Sequence, residues 1–110
     1  MPLVTLLEYL KNNNLKHNIL VVDQVALNDV KLDFYEISSE NCWIHTDQGH
    51  EIKLDLTKFK KITFDAGAWK ATNSTEMIRC INSLENEIPY NAYLENAKDE
   101  IFAGFYGIGK

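Results

Sequence analysis

The feature that most constrains this chain is an alternation running from residue 18 to residue 65. There, apolar residues recur at every second position between clusters of turn-forming residues. In Val30-Lys31-Leu32-Asp33-Phe34-Tyr35 the period puts Val30, Leu32 and Phe34 on one face of an extended segment and Lys31, Asp33 and Tyr35 on the other. Ile52, Leu54 and Leu56 alternate with Glu51, Lys53 and Asp55, and Ile62 and Phe64 with Lys61, Thr63 and Asp65. One-sided alternation marks antiparallel strands with a single buried face, because a strand covered on both sides is apolar throughout. Ile19-Leu20-Val21-Val22 is such a run and predicts a central, doubly covered strand.

The punctuation fits a meander. Asn28-Asp29 lies between Val25-Ala26-Leu27 and Val30-Lys31-Leu32, and both residues tolerate positive φ, so a two-residue hairpin loop is expected. Residues 38–41 and 47–49 mark the next reversals, and residues 57–60 join the last two strands.

Helical spacing flanks this region. Leu3, Leu6, Leu7 and Leu10 form one stripe of a helix over residues 2–10. Pro2 is tolerated in its first turn, and Asn12-Asn13-Asn14 supplies the stop. After a loop over residues 66–72, Asn73 caps a second helix with Glu76 three residues on. Met77, Cys80, Ile81, Leu84 and Ile88 share its face, and Pro89 ends it or begins another helix. Tyr90, Tyr93, Leu94, Ala97 and Ile101 predict a third helix reaching Gly104. Residues 104–109 are too glycine-rich for a helix, and a final edge strand or a loose tail are both open. The expectation is an α+β domain spanning residues 1–110. It has an antiparallel meander of about five strands, with an N-terminal helix and two C-terminal helices packed on it.

Charge narrows the partner. A net charge of -5 argues against a nucleic-acid backbone and an anionic membrane, and favours a basic protein. The first apolar segment carries Glu8 and has no basic flank, so no secretory leader is expected. No run approaches the roughly 20 apolar residues of a membrane helix. Cys42 and Cys80 are expected as reduced thiols in a cytoplasmic protein.

Cys42, His45, Asp47 and His50 are the densest group of chemical side chains. Zinc binding or a Cys–His dyad would need them to converge, yet Cys42 and His45 are an odd number apart on one strand and face opposite ways. A two-residue turn would put His45, Asp47 and His50 on one face. A three-residue loop with Gly49 in a bulge would pair Ile44 with Ile52 and Cys42 with Leu54 and separate the histidines. Neither gathers Cys42 with both histidines, so no metal, cofactor or catalytic set is expected. His17 is isolated and expected in solvent. Gly104 with Gly109-Lys110 matches part of a phosphate loop by letter, but no helix or hydroxyl residue follows the lysine. Lys58, Lys60 and Lys61 give too little phosphate neutralisation for a nucleic-acid site, and Phe59 among them is expected in the core.

The strongest functional signal is the charge of residues 76–100, with six acids (Glu76, Glu85, Glu87, Glu95, Asp99, Glu100) against Arg79 and Lys98. Interleaved tyrosines make Glu85, Glu87, Tyr90, Tyr93, Glu95, Asp99 and Glu100 the expected partner-binding set. The function expected is a non-enzymatic inhibitor of the immunity or antitoxin type, masking a basic surface of a toxin or nuclease. The alternatives are an acid–base hydrolase using His45, Asp47 and His50, and a subunit or homodimer joined through Phe105, Tyr106 and Ile108.

Overall fold

The computed structural model describes residues 1–13, 15–67, 69–83 and 88–108. Helix α1 (Pro2–Asn12) leads into strands β1 (Lys16–Val21), β2 (Val25–Ile37), β3 (Asn41–Thr46), β4 (Glu51–Asp55), β5 (Lys61–Ala66) and β6 (Trp69–Ala71). Helix α2 (Ser74–Asn82) and strands β7 (Pro89–Glu95) and β8 (Ile101–Ile108) complete the chain. All pairings are antiparallel, in the order β4-β3-β2-β1-β8-β7-β5-β6.

This corrects the expected architecture. Among the described residues, eight strands and two helices replace five strands and three helices. The third helix is absent: residues 90–95 alternate Tyr90, Ala92 and Leu94 inward with Asn91, Tyr93 and Glu95 outward, pairing with both β5 and β8. Asn96 breaks this strand, its side-chain oxygen accepting from the N–H groups of Lys98 and Glu100 at 2.9 and 3.0 Å. The glycine-rich close is neither edge nor tail, because β8 lies between β1 and β7. Only β1 to β4 form a meander; β5 does not adjoin β4.

That connection bends the sheet. Residues 56–60 join β4 to β5, which stand six strand spacings apart. Six flat spacings would span about 29 Å. The chain from Asp55 to Lys61 covers at most about 21 Å. The sheet is therefore rolled, and since Leu56 and Phe59 pack on the core, it rolls toward the helices. β2 serves both halves, its first part pairing with β1 and its second with β3.

The inner face holds the core. Leu3, Leu6, Leu7 and Leu10 of α1 are fully buried against Ile44, Leu54, Ile62, Phe64 and Phe105, with Met77 and Cys80 of α2. Asn13 ends α1, its N–H and side-chain amide both donating to the Tyr9 carbonyl. Asn73 caps α2 as expected, accepting from the Glu76 N–H at 2.9 Å. The edges are β4, which presents Glu51 and Lys53, and the three-residue β6, and both charge and brevity discourage strand addition. Among the described residues no helix is long and apolar enough to cross a membrane.

The outer face, away from the helices, is uncovered. β1 is central but covered on one side only: Ile19 and Val21 are buried, whereas Leu20 and Val22 are exposed. His17, expected in solvent, is buried on the inner face beside Phe105.

Candidate functional site

Two β-bulges shape the outer face. Between β1 and β2, Ile19 pairs with Leu27 and His17 with Val30, so β2 carries an extra residue at Asn28-Asp29. Asp29 takes a φ of 58°, and its N–H donates to the Asn18 side chain at 2.8 Å. The expected hairpin loop is thus a bulge inside one strand, and the chain reverses earlier, at Asp23 with φ 63°. Between β2 and β3, Leu32 pairs with Thr46 and Phe34 with His45, leaving Asp33 extra.

The second bulge re-aims two aromatic rings. Val30 and Leu32 point inward, but beyond Asp33 it is Tyr35 that continues inward and Phe34 that turns out. Tyr35 packs on the core, where burial and then the Glu8 carboxylate hold its hydroxyl above the usual range. Phe34, 42% exposed, becomes part of the outer surface.

Phe34 stacks on His45 with ring centroids 4.0 Å apart and planes 8° from parallel. His45 Nε2 lies 3.7 Å from Glu36 Oε1 and its Nδ1 lies 3.6 Å from Glu51 Oε1. The ring is therefore flanked by carboxylates and covered by Phe34. In register, Phe34–His45–Glu51 forms one row across β2, β3 and β4, and Glu36–Trp43–Lys53 the next. Trp43 is 38% exposed, while both glutamate side chains are about two-thirds exposed, 67% and 65%. The result is an aromatic floor with carboxylates at its rim.

The hairpin behind it takes the three-residue form, with Cys42 opposite Leu54, Ile44 opposite Ile52 and Gly49 at φ 84°. Cys42 faces the core, where burial pushes its thiol up to about 11, and His45 faces out. Asp47 is turned toward β2, its carboxylate accepting from the Lys31 N–H at 3.0 Å. His50 is exposed beyond the turn, and among the described residues no contact joins His45 to Asp47 or His50. The hydrolase arrangement is not assembled. Both cysteines are free and buried. Among the described residues no group of three or more His, Cys, Asp or Glu side chains is placed to hold a metal ion.

The residues expected to bind a partner are scattered. Tyr90 is core, stacked on Phe64 at 5.7 Å and edge-on to Tyr9 at 6.2 Å. Tyr93 lies on the outer face with its ring edge-on to Tyr106. Glu95 pairs with Lys61 at 3.6 Å, and Asp99 and Glu100 occupy the β7–β8 turn. Glu85 and Glu87, like Leu84, Gly109 and Lys110, lie outside the described residues. Beside that turn a shallow cleft of about 450 Å³ mixes Asp23 and Glu100 with Lys58 and Lys98, so no single sign dominates it. Of the expected tail set, Phe105 is core, while Tyr106 and Ile108 share the outer face and line one shallow cleft with Lys16 and Asp29, so the three residues do not act together. Sequence reasoning missed Phe34, Glu36, Trp43 and Glu51 as a group, and no local signal marks them, because the Asp33 bulge that turns Phe34 outward is set by the pairing with β3.

Comparisons with protein-family models, with curated proteins and with solved structures return no match to this chain.

Proposed function

We propose that this chain is a partner-binding domain that masks a basic surface of another protein, docking through the outer face of β2, β3 and β4. What supports the reading is the Phe34–His45 stack beside Trp43, rimmed by Glu36 and Glu51. Exposed aromatics on a sheet can stack nucleic-acid bases or anchor a protein interface. The carboxylates favour the second. Each would repel a phosphate about 4 Å away by about 1 kcal/mol in water and by several near a protein surface, and would attract a cation equally. A net charge of -5 adds long-range steering of a basic partner.

On this reading the chain makes no bonds and acts as an inhibitor inside the cell, with a toxin or nuclease domain as the class of partner. The acidic surface is the rim of an aromatic floor on β2–β4, in place of a C-terminal helix.

The test is capture of a partner from source-cell extract by the tagged chain and by surface variants, each at low and high salt. Trp43→Ala should weaken capture by about 30-fold, the scale of an interface hot spot. Ile78→Ala, on the exposed side of α2, should leave it unchanged. High salt should slow association. Undiminished capture by Trp43→Ala refutes the docking face, as does a stable dimer of the chain that Trp43→Ala disperses.

A further inference from the structure

We infer that the patch formed by Phe34, His45, Trp43, Glu36 and Glu51 is a receptor for one arginine side chain of the partner, which extends the docking face proposed above by naming the group it reads. Glu36 and Glu51 arise from different strands, yet both lie beside the same imidazole, at 3.7 and 3.6 Å, while Phe34 stacks on that ring. Neither distance is a hydrogen bond, and His45 Nε2 has no hydrogen-bond partner among the described residues, so both carboxylates keep their acceptors free for a donor from the partner.

Trp43 is the cross-strand neighbour of Glu36, and directly opposed side chains on a sheet start about 5 Å apart. A planar cation lying on the indole therefore meets the Glu36 carboxylate at its edge. Lys53 occupies the other side of Trp43, so a second cation is turned toward Glu36, with Glu51 adding negative potential from the next row. A guanidinium suits this place better than an ammonium. It is flat, stacks on aromatic faces, offers several donors in one plane and is more weakly hydrated.

An extra residue at Asp33 turns Phe34 outward and Tyr35 inward, leaving a large apolar ring 42% exposed where regular pairing would have buried it. A bulge that re-aims a side chain is a common device beside binding sites.

The inference is tested on the intact chain with three blocked amino acids: Nα-acetyl-arginine amide, its lysine counterpart and its citrulline counterpart, which keeps the shape of arginine without the charge. The readout is the nuclear magnetic resonance shift of the Trp43 indole N–H, assigned with Trp69→Phe, and of backbone amides at positions 34, 36, 43, 45 and 51. Arginine should shift these signals saturably, lysine should bind several-fold more weakly, and citrulline should not saturate. Glu36→Gln and Glu51→Gln should each weaken arginine binding about two- to fivefold, the scale of a partly exposed ion pair, with the remaining spectrum unchanged. Citrulline binding as well as arginine, or shifts that persist at full strength when both glutamates are replaced, would overturn the receptor. Capture lost with Trp43→Ala, without arginine binding and unaffected by the glutamine replacements, overturns the receptor and keeps the docking face. Capture indifferent to Trp43→Ala overturns the docking face whatever blocked arginine does.

Discussion

Strand β8 lies beneath a tyrosine at two of its glycines, once on each face of the sheet. Inside, Tyr90 of β7 leans across its cross-strand partner Gly107, where an added Cβ would stand 2.5 Å from the Tyr90 hydroxyl oxygen. Outside, Tyr106 bends back over Gly104, where a Cβ would stand 2.6 Å from the Tyr106 hydroxyl oxygen. Both rings cover bare backbone, a known way to rescue glycine in a strand. The surroundings differ. Tyr90 is 1% exposed and walled by Phe64 and Tyr9, whereas Tyr106 is half-buried with Tyr93 at its edge. One device is thus enclosed on the inner face and open to solvent on the outer one, which is the difference between a core and a surface.

Removing the rings should expose that difference most. Tyr90→Ala should cost about 3–5 kcal/mol, as large aromatic truncations in cores do. Tyr106→Ala, giving up only part of an aromatic side chain's burial, should cost about 1 kcal/mol. Urea unfolding of both variants measures this, and equal losses would break the comparison. The Tyr90 hydroxyl has no hydrogen-bond partner among the described residues. Tyr90→Phe should accordingly be neutral or stabilising, since no bond is lost and a polar group leaves the interior.

Filling the glycines should give a smaller contrast of the same sign. Gly107→Ala forces a methyl group against a ring that cannot move aside, for about 1–3 kcal/mol. Gly104→Ala displaces only the free end of Tyr106, which swings toward solvent, and should stay within about 0.5 kcal/mol. A larger cost at Gly104 than at Gly107 would show that Tyr106 is the locked ring.

These glycines also show where the sequence misleads. Read alone, they leave an edge strand and a loose tail both open; in the fold they are seats for tyrosines on a central strand. Local signals survived where one period alone was possible. The leucine stripe of α1 and the Asn73 cap are legible, whereas at Gly49 two loop lengths are open in the sequence and the β3–β4 pairing selects the three-residue one. Residues 90–101 were not, because Tyr90, Leu94 and Ile101 fit a helical spacing while Tyr90, Ala92 and Leu94 fit a strand. Pairing with β5 and β8, distant in sequence, makes the choice. The candidate site was hidden for another reason. Counting by twos across Asp33 assigns Phe34 to the core, and only the bulge, which depends on the partner strand, exchanges it with Tyr35.

The two faces also hold a histidine each, on strands β1 and β3 to either side of β2, and the inner one makes the last and smallest prediction. His17 is buried, with Nδ1 3.1 Å from the Leu15 carbonyl oxygen and Nε2 without a hydrogen-bond partner among the described residues. Burial lowers its pKa from the usual 6.5; the Leu15 carbonyl and, more weakly, Asp47 oppose that shift without cancelling it. The unfolded chain therefore takes up a proton near pH 6.5 that the folded chain refuses. Stability from this group is complete above that pH and is lost as the pH falls below it, with a slope no steeper than about 1.4 kcal/mol per pH unit for one proton. Urea midpoints measured from neutral pH downward should decline for the native chain. In His17→Leu, whatever its absolute stability, the decline between pH 6.5 and the lowered value should be shallower by the contribution of one group. A native profile flat across that interval, or one whose slope is the same in His17→Leu, would mean that the inner face admits the charged ring, and the distinction between a sealed face and an adaptable one would then rest on the tyrosines alone.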